Sequence, residues 1–170
     1  MSGIAAIYYL DKRVVDISVL ARINELLRHR GTDATAIWHR GPVGLTHRMM
    51  WTTPESLIEK LPAPSSSGNS FITCDARIDN RSELIPQLPF FGRSRDEITD
   101  SEVILAAYEK WGEECLPKLV GDFVFAIWNE RENVLFAARD PLGVKHFYYF
   151  HGPGKLFALT SEIKGLFALD

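Results

Sequence analysis

The chain of 170 residues is 46% hydrophobic and 24% charged, and it carries a formal net charge of −3. This length and composition predict one compact domain with a sizeable core. No basic run exceeds a few residues, so the sequence lacks the clustered positive charge of a protein that binds nucleic acid or an anionic membrane. The apolar stretches are strand-sized and the start lacks the pattern of a signal peptide, which argues against a membrane helix and predicts a cytoplasmic protein.

Hydrophobic periodicity predicts antiparallel strands with few helices. The first half is expected to form, in chain order, a strand at Gly3–Leu10, a helix at Asp16–Arg30, a hairpin of Thr35–His39 with Val43–Met49, a mobile loop at Pro54–Asn69, a strand at Ser70–Ala76 and a short helix at Asn80–Leu88. The second half is expected to form a polar loop at Phe90–Ile98, a helix from a Thr99 capping box to Trp111, a hairpin of Asp122–Asn129 with Val134–Arg139, a hairpin of Lys145–Phe150 with Leu156–Thr160, and a helical turn from Glu162. No repeat or second domain is visible, and the fold class is α+β.

Aromatic residues, cysteines and histidines are assigned structural roles. Six aromatic residues are expected in the sheet core: Phe123, Phe125, Phe136, Phe147, Tyr148 and Tyr149. Cys74 and Cys115 form neither a disulfide framework nor a metal-ligand pattern, and both are expected to be buried in a reducing compartment. The five histidines lack ligand spacing, so we expect no metal.

The second residue is the first candidate for chemistry. If Met1 is removed, Ser2 carries a hydroxyl and a free α-amino group on one residue. A base beside a nucleophile is the minimum for covalent acyl transfer, and an N-terminal amine can be that base. Ordinary N-terminal processing explains the same residues without catalysis, so support has to come from the rest of the chain.

Six short segments supply that support. They are His29–Asp33, Thr46–Arg48, Thr99–Leu105, Phe123–Trp128, Ala138–Lys145 and Ser161–Lys164. Together they resemble the glutamine amidotransferase domain at the N-terminus of asparagine synthetases, and the resemblance covers essentially the whole chain. It implies one class II amidotransferase domain over residues 1–170, with the N-terminal-nucleophile hydrolase fold. That fold is a four-layer αββα sandwich of two mainly antiparallel sheets.

The resemblance also assigns pocket positions, and several of them carry other residues than expected. Active members begin with Cys where Ser2 stands, and a hydroxyl needs a stronger base or better positioning than a thiol. The family's Asn-Gly-Glu segment reads Asp75-Ala76-Arg77 here. Asp75 offers an acceptor where the oxyanion hole needs a donor, although Ala76 keeps its N–H. Arg77 replaces the Glu that receives the substrate ammonium, so attraction becomes repulsion.

The clamp for the substrate carboxylate is altered as well. In the family's His-x-Arg-Leu-Ser segment, the Arg binds the glutamine α-carboxylate, and alignment on His47 places Met49 there. Arg48 is expected on the opposite face of the strand, although a shift of one residue in the alignment would move it into the clamp position. Asp100 matches a second ammonium-binding acid, and it equally fits a structural role in the first turn of a helix.

These changes together predict a natural pseudo-amidotransferase. Such a domain would be the structural partner of an ATP-dependent amide-forming synthetase domain, in cis or in trans, and would hold no cofactor itself. ATP and Mg²⁺ are expected only in that partner. The family's Ser-Gly-Gly-x-Asp-Ser pyrophosphate loop is absent from the sequence, which predicts either a truncated piece or a separately encoded half.

Two other functions stay open. The first is an active amidotransferase that uses Ser2, or a Cys that it replaces, to release ammonia from glutamine for asparagine synthesis. The second is a domain that binds or hydrolyses another small acid in a pocket lined by Arg77. The segment Arg48–Ser56 most resembles the branch of lasso-peptide cyclases, which, like β-lactam synthetases, use an amine of their own substrate.

The residues before the last position carry an apolar cluster. Leu166, Phe167 and Leu169 lie close together in the sequence, where side chains are often left uncovered. We expect some of them to be exposed, and an exposed apolar cluster predicts contact with the partner domain. The isolated chain is therefore expected to self-associate or to leave this segment poorly ordered.

Overall fold

The computed structural model describes residues 1–169 and contains nine strands and four α-helices within that range. The strands are β1 (Gly3–Tyr9), β2 (Ala34–Arg40), β3 (Val43–Met49), β4 (Ala63–Pro64), β5 (Ser70–Ile78), β6 (Gly121–Asn129), β7 (Val134–Arg139), β8 (Tyr148–Gly152) and β9 (Leu156–Thr160). The helices are α1 (Ile17–Leu26), α2 (Arg81–Leu84), α3 (Asp100–Trp111) and α4 (Ile163–Leu166). None of these helices is long and apolar enough to cross a membrane.

The strands form two antiparallel sheets that pack face to face. The first sheet has the order β2-β3-β1-β9-β8, and the second has the order β4-β5-β6-β7. Helices α1 and α4 cover the outer face of the first sheet, and α3 covers that of the second. The predicted α+β class and the four-layer sandwich are therefore confirmed.

Strand β1 holds the centre of the first sheet and is buried along its whole length. It pairs antiparallel with β3 and β9. Ile4, Ala6 and Tyr8 join the core between the sheets, and Ala5, Ile7 and Tyr9 join the core beneath α1. Because both faces are buried, the strand is a continuous apolar run rather than an alternating one.

Helix α3 begins where the sequence predicts. The Thr99 side chain accepts from the Glu102 backbone N–H, and the Glu102 carboxylate accepts from the Thr99 N–H, which completes a capping box. Gly112 ends the helix with φ of 58°, a conformation that favours glycine. The capping box fixes the start of this helix, which matters for the site because Asp100 lies in its first turn.

Two predicted segments in the first half of the chain differ from the structure. The first helix ends at Leu26, and Arg28–Arg30 form a 3-10 turn instead of continuing the helix. The predicted loop at Pro54–Asn69 contains a 3-10 turn at Glu55–Leu57 and the short strand β4, which pairs with β5. A proline can occupy β4 because it is an edge strand, where a missing N–H costs no ladder hydrogen bond.

The last hairpin also differs from its prediction. Strand β8 begins at Tyr148 rather than Lys145, because the Asp140 carboxylate accepts from the backbone N–H groups of Val144 and Lys145 and holds that segment in a turn. The prediction that Tyr148 and Tyr149 lie in the sheet core is wrong, because both are exposed on the edge strand β8. The other four aromatic residues are buried in the cores or packed against them.

His47 lies between the two sheets and is fully buried. Its Nδ1 is 3.2 Å from Thr73 Oγ1 on β5, and its Nε2 has no partner among the described residues. Burial lowers the pKa of His47 from 6.5 to about 3, because a charged imidazolium would be cut off from water. The ring is therefore neutral in the folded protein at ordinary pH.

We predict that His47 makes the fold sensitive to acid. Below pH 6.5 the unfolded chain takes up a proton on His47 that the folded protein does not, so stability is lost as pH falls toward about 3. The loss from this group should approach about 1.4 kcal/mol per pH unit. Denaturant unfolding of wild type and His47→Gln across this range should show a shallower slope for the variant. Replacing the exposed His151 by Gln is the control and should leave the slope unchanged.

Candidate functional site

The predicted pocket forms where strands of both sheets end beside helix α3. Ser2 precedes β1, Met49 ends β3, Asp75 and Ala76 belong to β5, and Asp100 opens α3. All five line one small cavity. The structure therefore brings together residues that are separated by up to about a hundred positions in the sequence.

Ser2 is buried at the base of this cavity, and its hydroxyl is already engaged. Its Oγ accepts from the Met50 backbone N–H at 3.0 Å and lies 3.9 Å from Met49 Sδ, a weak acceptor. Arg30 Nε donates to the Ser2 carbonyl at 3.2 Å. Met49 thus lies beside Ser2, at the position where the resemblance to the family places the arginine that binds the substrate carboxylate.

The terminal ammonium belongs to Met1 in this structure. It donates to Met50 Sδ at 2.8 Å. Burial lowers the pKa of this ammonium, and the nearby Asp75 carboxylate opposes that shift. Ser2 carries a peptide nitrogen while Met1 is present, so it has no amine of its own to act as a base.

Asp75, at the expected oxyanion position, forms an ion pair that the sequence did not reveal. Lys145 Nζ donates to Asp75 Oδ1 at 2.9 Å, and the two side chains are only 14% and 10% exposed. Asp75 Oδ2 is buried and has no hydrogen-bond partner among the described residues. The position therefore presents acceptors only, and its negative charge is offset by a lysine of the same chain.

The turn before β8 positions Lys145. The Asp140 carboxylate accepts from the Val144 N–H at 2.9 Å and from the Lys145 N–H at 2.8 Å. Burial alone would raise the pKa of Asp140, but these backbone donors outweigh it and hold the pKa below its ordinary value. A charged Asp140 thus fixes the turn that carries Lys145 to Asp75.

Asp100 also forms an ion pair with a cation of the same chain. Arg81 donates to the Asp100 carboxylate and to the backbone carbonyls of Ile98 and Arg95. Burial raises the pKa of Asp100, and the Arg81 guanidinium counteracts this. Asp100 therefore has a structural role, in which its carboxylate pairs with Arg81.

Two of the predicted clamp residues lie outside the cavity. Arg48 points away from it, as predicted for the opposite face of β3: its Nε donates to Asn24 O and its Nη2 pairs with Glu25 on α1, both at 3.0 Å. The expectation that Arg77 lines the pocket is wrong. Arg77 forms a bidentate pair with Asp79 at the surface, with its side chain 58% exposed.

Sequence reasoning missed Lys145, Arg81 and Glu59 as residues of this region. Lys145 lay in a segment that resembles the family, but nothing in the sequence paired it with a residue seventy positions away. Glu59 lines the cavity and accepts from the Ser101 N–H at 3.1 Å. No sequence pattern pointed to Arg81 or Glu59, because their positions depend on how α2 and the segment after β3 pack against the first turn of α3.

The cavity at Ser2 is very small. Its volume open to the centre of a water molecule is about 20 Å³, which is about the room that one water molecule needs. Within residues 1–169, no group of three or more His, Cys, Asp or Glu side chains could hold a metal ion.

The comparisons with known proteins agree with this architecture. The sequence matches the glutamine amidotransferase domain family over residues 1–170. The chain belongs to this family. The amidotransferase domain also resembles glutamine phosphoribosylpyrophosphate amidotransferase from B. subtilis, with a TM-score of 0.75 at 16% identity over 98% of this chain and 43% of that one. At this identity the likeness shows the fold alone.

Several proteins of similar sequence are asparagine synthetases. The glutamine-hydrolyzing asparagine synthetase 3 of Bacillus subtilis is 32% identical over 99% of the domain and 28% of its own length. A putative asparagine synthetase 2 of Methanocaldococcus jannaschii is 29% identical over 99% of the domain and 35% of its own length. The chain thus spans about a third or less of these relatives, in which an amidotransferase domain is part of a larger protein.

We predict that Lys145 and Asp75 depend on each other for stability. Lys145→Met should destabilise the amidotransferase domain by about 3–5 kcal/mol, because it leaves a buried carboxylate without its cation. Adding Asp75→Asn should recover most of that loss. Lys164→Met is the matched control, because Lys164 pairs with Glu162 at the surface, where an ion pair contributes about 1 kcal/mol or less. Urea unfolding of the four proteins measures these differences, and equal losses for Lys145→Met and Lys164→Met would contradict the coupling.

Proposed function

We propose that this domain has kept the amidotransferase fold without glutamine hydrolysis. The observation that carries the proposal is the pocket itself, in which Met49 and Asp75 line the cavity at the positions where the resemblance expects a cationic clamp and an oxyanion donor. The carboxylates of Asp75 and Asp100 are paired with Lys145 and Arg81. No cation stands at the carboxylate-clamp position, because Met49 occupies it and Arg48 faces helix α1.

The active alternative has one observation in its favour. The Ser2 hydroxyl still lines the cavity, so a nucleophile would be in place if Met1 were removed. It would still lack a donor from residue 75, and removal of one oxyanion donor costs about 10²–10³ in rate. Binding of another small acid loses its support, because Arg77 faces Asp79 rather than the cavity.

We further propose that the domain is retained as the structural partner of an ATP-dependent amide-forming domain. The longer asparagine synthetases that it resembles support this, and ATP and Mg²⁺ would belong to that partner. Two exposed apolar areas could face a partner. They are the β8 edge at Tyr148, Tyr149 and Phe150, and Phe167 beyond α4.

The purified domain should release no glutamate from glutamine above background. Met49 removes carboxylate recognition, and Asp75 offers no donor to the oxyanion. A coupled glutamate assay measures this, with the Bacillus subtilis asparagine synthetase 3 as the positive control. Ser2→Cys should also stay inactive, because the thiol changes neither Met49 nor Asp75. Turnover by either protein near about 1 s⁻¹ would contradict the loss of activity.

The isolated domain should self-associate through its exposed apolar side chains. Phe167 is 79% exposed, while Leu166 and Leu169 pack partly against the core beneath α1. Phe167→Ser should lower the weight-average mass seen by sedimentation at high protein concentration. Phe91→Ser is the matched control, because Phe91 is 93% exposed in the segment before α3 on the other outer layer. A monomer at every concentration, or equal effects of both substitutions, would refute this role of Phe167.

A further inference from the structure

The cavity at Ser2 is acidic. Among the described residues that line it, four are acidic and none is basic. The four are Glu55, Glu59, Asp75 and Asp100. A lining of this kind favours a group that is positively charged and donates hydrogen bonds over one that is negatively charged.

Asp75 contributes the one buried carboxylate oxygen within residues 1–169 that lacks a partner. Its Oδ1 accepts from Lys145 Nζ at 2.9 Å, whereas its Oδ2 is buried without a hydrogen bond, and the residue is only 9% exposed. Asp100 already pairs with Arg81, and Glu59 accepts from the Ser101 N–H at 3.1 Å. Leaving a buried acceptor unpaired is costly. Asp75 Oδ2 is therefore the atom of this cavity that most needs a donor.

Ser2 is held in the cavity by bonds that do not involve Met1. Its Oγ accepts from the Met50 N–H at 3.0 Å, and its carbonyl accepts from Arg30 Nε at 3.2 Å. The next residue, Gly3, is already paired with Arg48 of β3. Removal of Met1 should therefore leave Ser2 where it is and turn its peptide nitrogen into an ammonium group with three N–H donors.

The ammonium of Met1 is poorly placed in comparison. It donates to Met50 Sδ at 2.8 Å, and a thioether is a weak acceptor. Burial lowers the pKa of this ammonium, the Asp75 carboxylate raises it, and Lys145 and Arg30 lower it. The charge of Asp75 therefore acts on this end of the chain, although the Met1 ammonium itself bonds to sulfur.

We propose that Asp75 Oδ2 accepts from the α-ammonium of Ser2 once Met1 has been removed, so that Asp75 binds the N-terminus of its own chain. The ion pair keeps the Ser2 amine charged. A charged amine has no lone pair with which to take the proton of the Ser2 hydroxyl, so it cannot act as the base that such a nucleophile needs. This rests on the proposed function and deepens it, because it adds the loss of the base to the loss of the clamp and of the oxyanion donor.

The pKa of the Ser2 amine tests this pairing. Methionine aminopeptidase removes Met1, and intact mass confirms Ser2 as the first residue. Only a neutral amine reacts with acetic anhydride, so the rate of acetylation at the N-terminal peptide has its midpoint at the pKa of the amine. Mass spectrometry follows this rate from about pH 5 to about pH 10, a range that spans the ordinary α-amino pKa of about 7.7–8.0. Limited access to the amine lowers the plateau of the rate and not its midpoint.

In the folded wild type, the midpoint should lie about one pH unit above that of the same protein unfolded in urea, as expected for a direct contact with an opposite charge. Burial, Lys145 and Arg30 all act in the other direction. Asp75→Asn should therefore bring the midpoint below the unfolded value. Glu55→Gln is the matched control, because it removes another carboxylate of the same cavity and should leave the wild-type midpoint unchanged.

A folded wild type whose midpoint lies at or below the unfolded value overturns the pairing, and this comparison holds even if Asp75→Asn fails to fold. A folded Asp75→Asn protein with the wild-type midpoint overturns it as well, as does an equal fall in Glu55→Gln. The glutamate assay on the same proteins separates the two proposals. Glutamate release with a charged Ser2 amine would contradict the lost glutaminase alone, and a neutral amine without release would overturn the pairing alone.

Discussion

The burial of β1 between β3 and β9 is the constraint on which the other layers depend. Its alternate side chains belong to two different cores, so a shift of one residue would exchange them between the cores. Ser2 directly precedes this strand, and the packing that defines the sandwich therefore also holds Ser2 beside Met49. The geometry of the site persists for as long as the fold does, independently of the chemistry of the residues around it.

The charges around Ser2 show how a binding pocket can become part of the scaffold. A buried carboxylate is costly unless a cation or several donors satisfy it. Here Lys145 pairs with Asp75 and Arg81 pairs with Asp100. Lys145 lies in the turn before β8, and Arg81 is the first residue of α2. Cations of the same chain therefore balance the negative charges that a bound ligand would otherwise balance. Such pairs hold loops in place, which is a structural gain that needs no turnover.

Local patterns predicted most strands and helices, the family resemblance supplied their arrangement in layers, and contacts between distant residues were not predicted. The buried run of β1 and the capping box at Thr99 were visible, because each depends on neighbours in sequence. The start of β8 was misplaced because the Asp140 carboxylate captures two backbone N–H groups, a competition that periodicity does not register. Pocket positions came from the family resemblance; five of them line one cavity, whereas Arg48 and Arg77 lie outside it. Their ion-pair partners were not predictable, since pairing depends on loop geometry.

The Asp75–Lys145 pair also couples two positions that lie seventy residues apart in the sequence. Lys145 lies in a segment that resembles the family, whereas Asp75 departs from the Asn expected at its position. Either residue alone would be a buried charge without a partner, which is strongly destabilising. The effects of substituting the two residues on stability should therefore not be additive. Domain stability is typically only about 5–15 kcal/mol, so this coupling makes the present pocket hard to reverse by single substitutions.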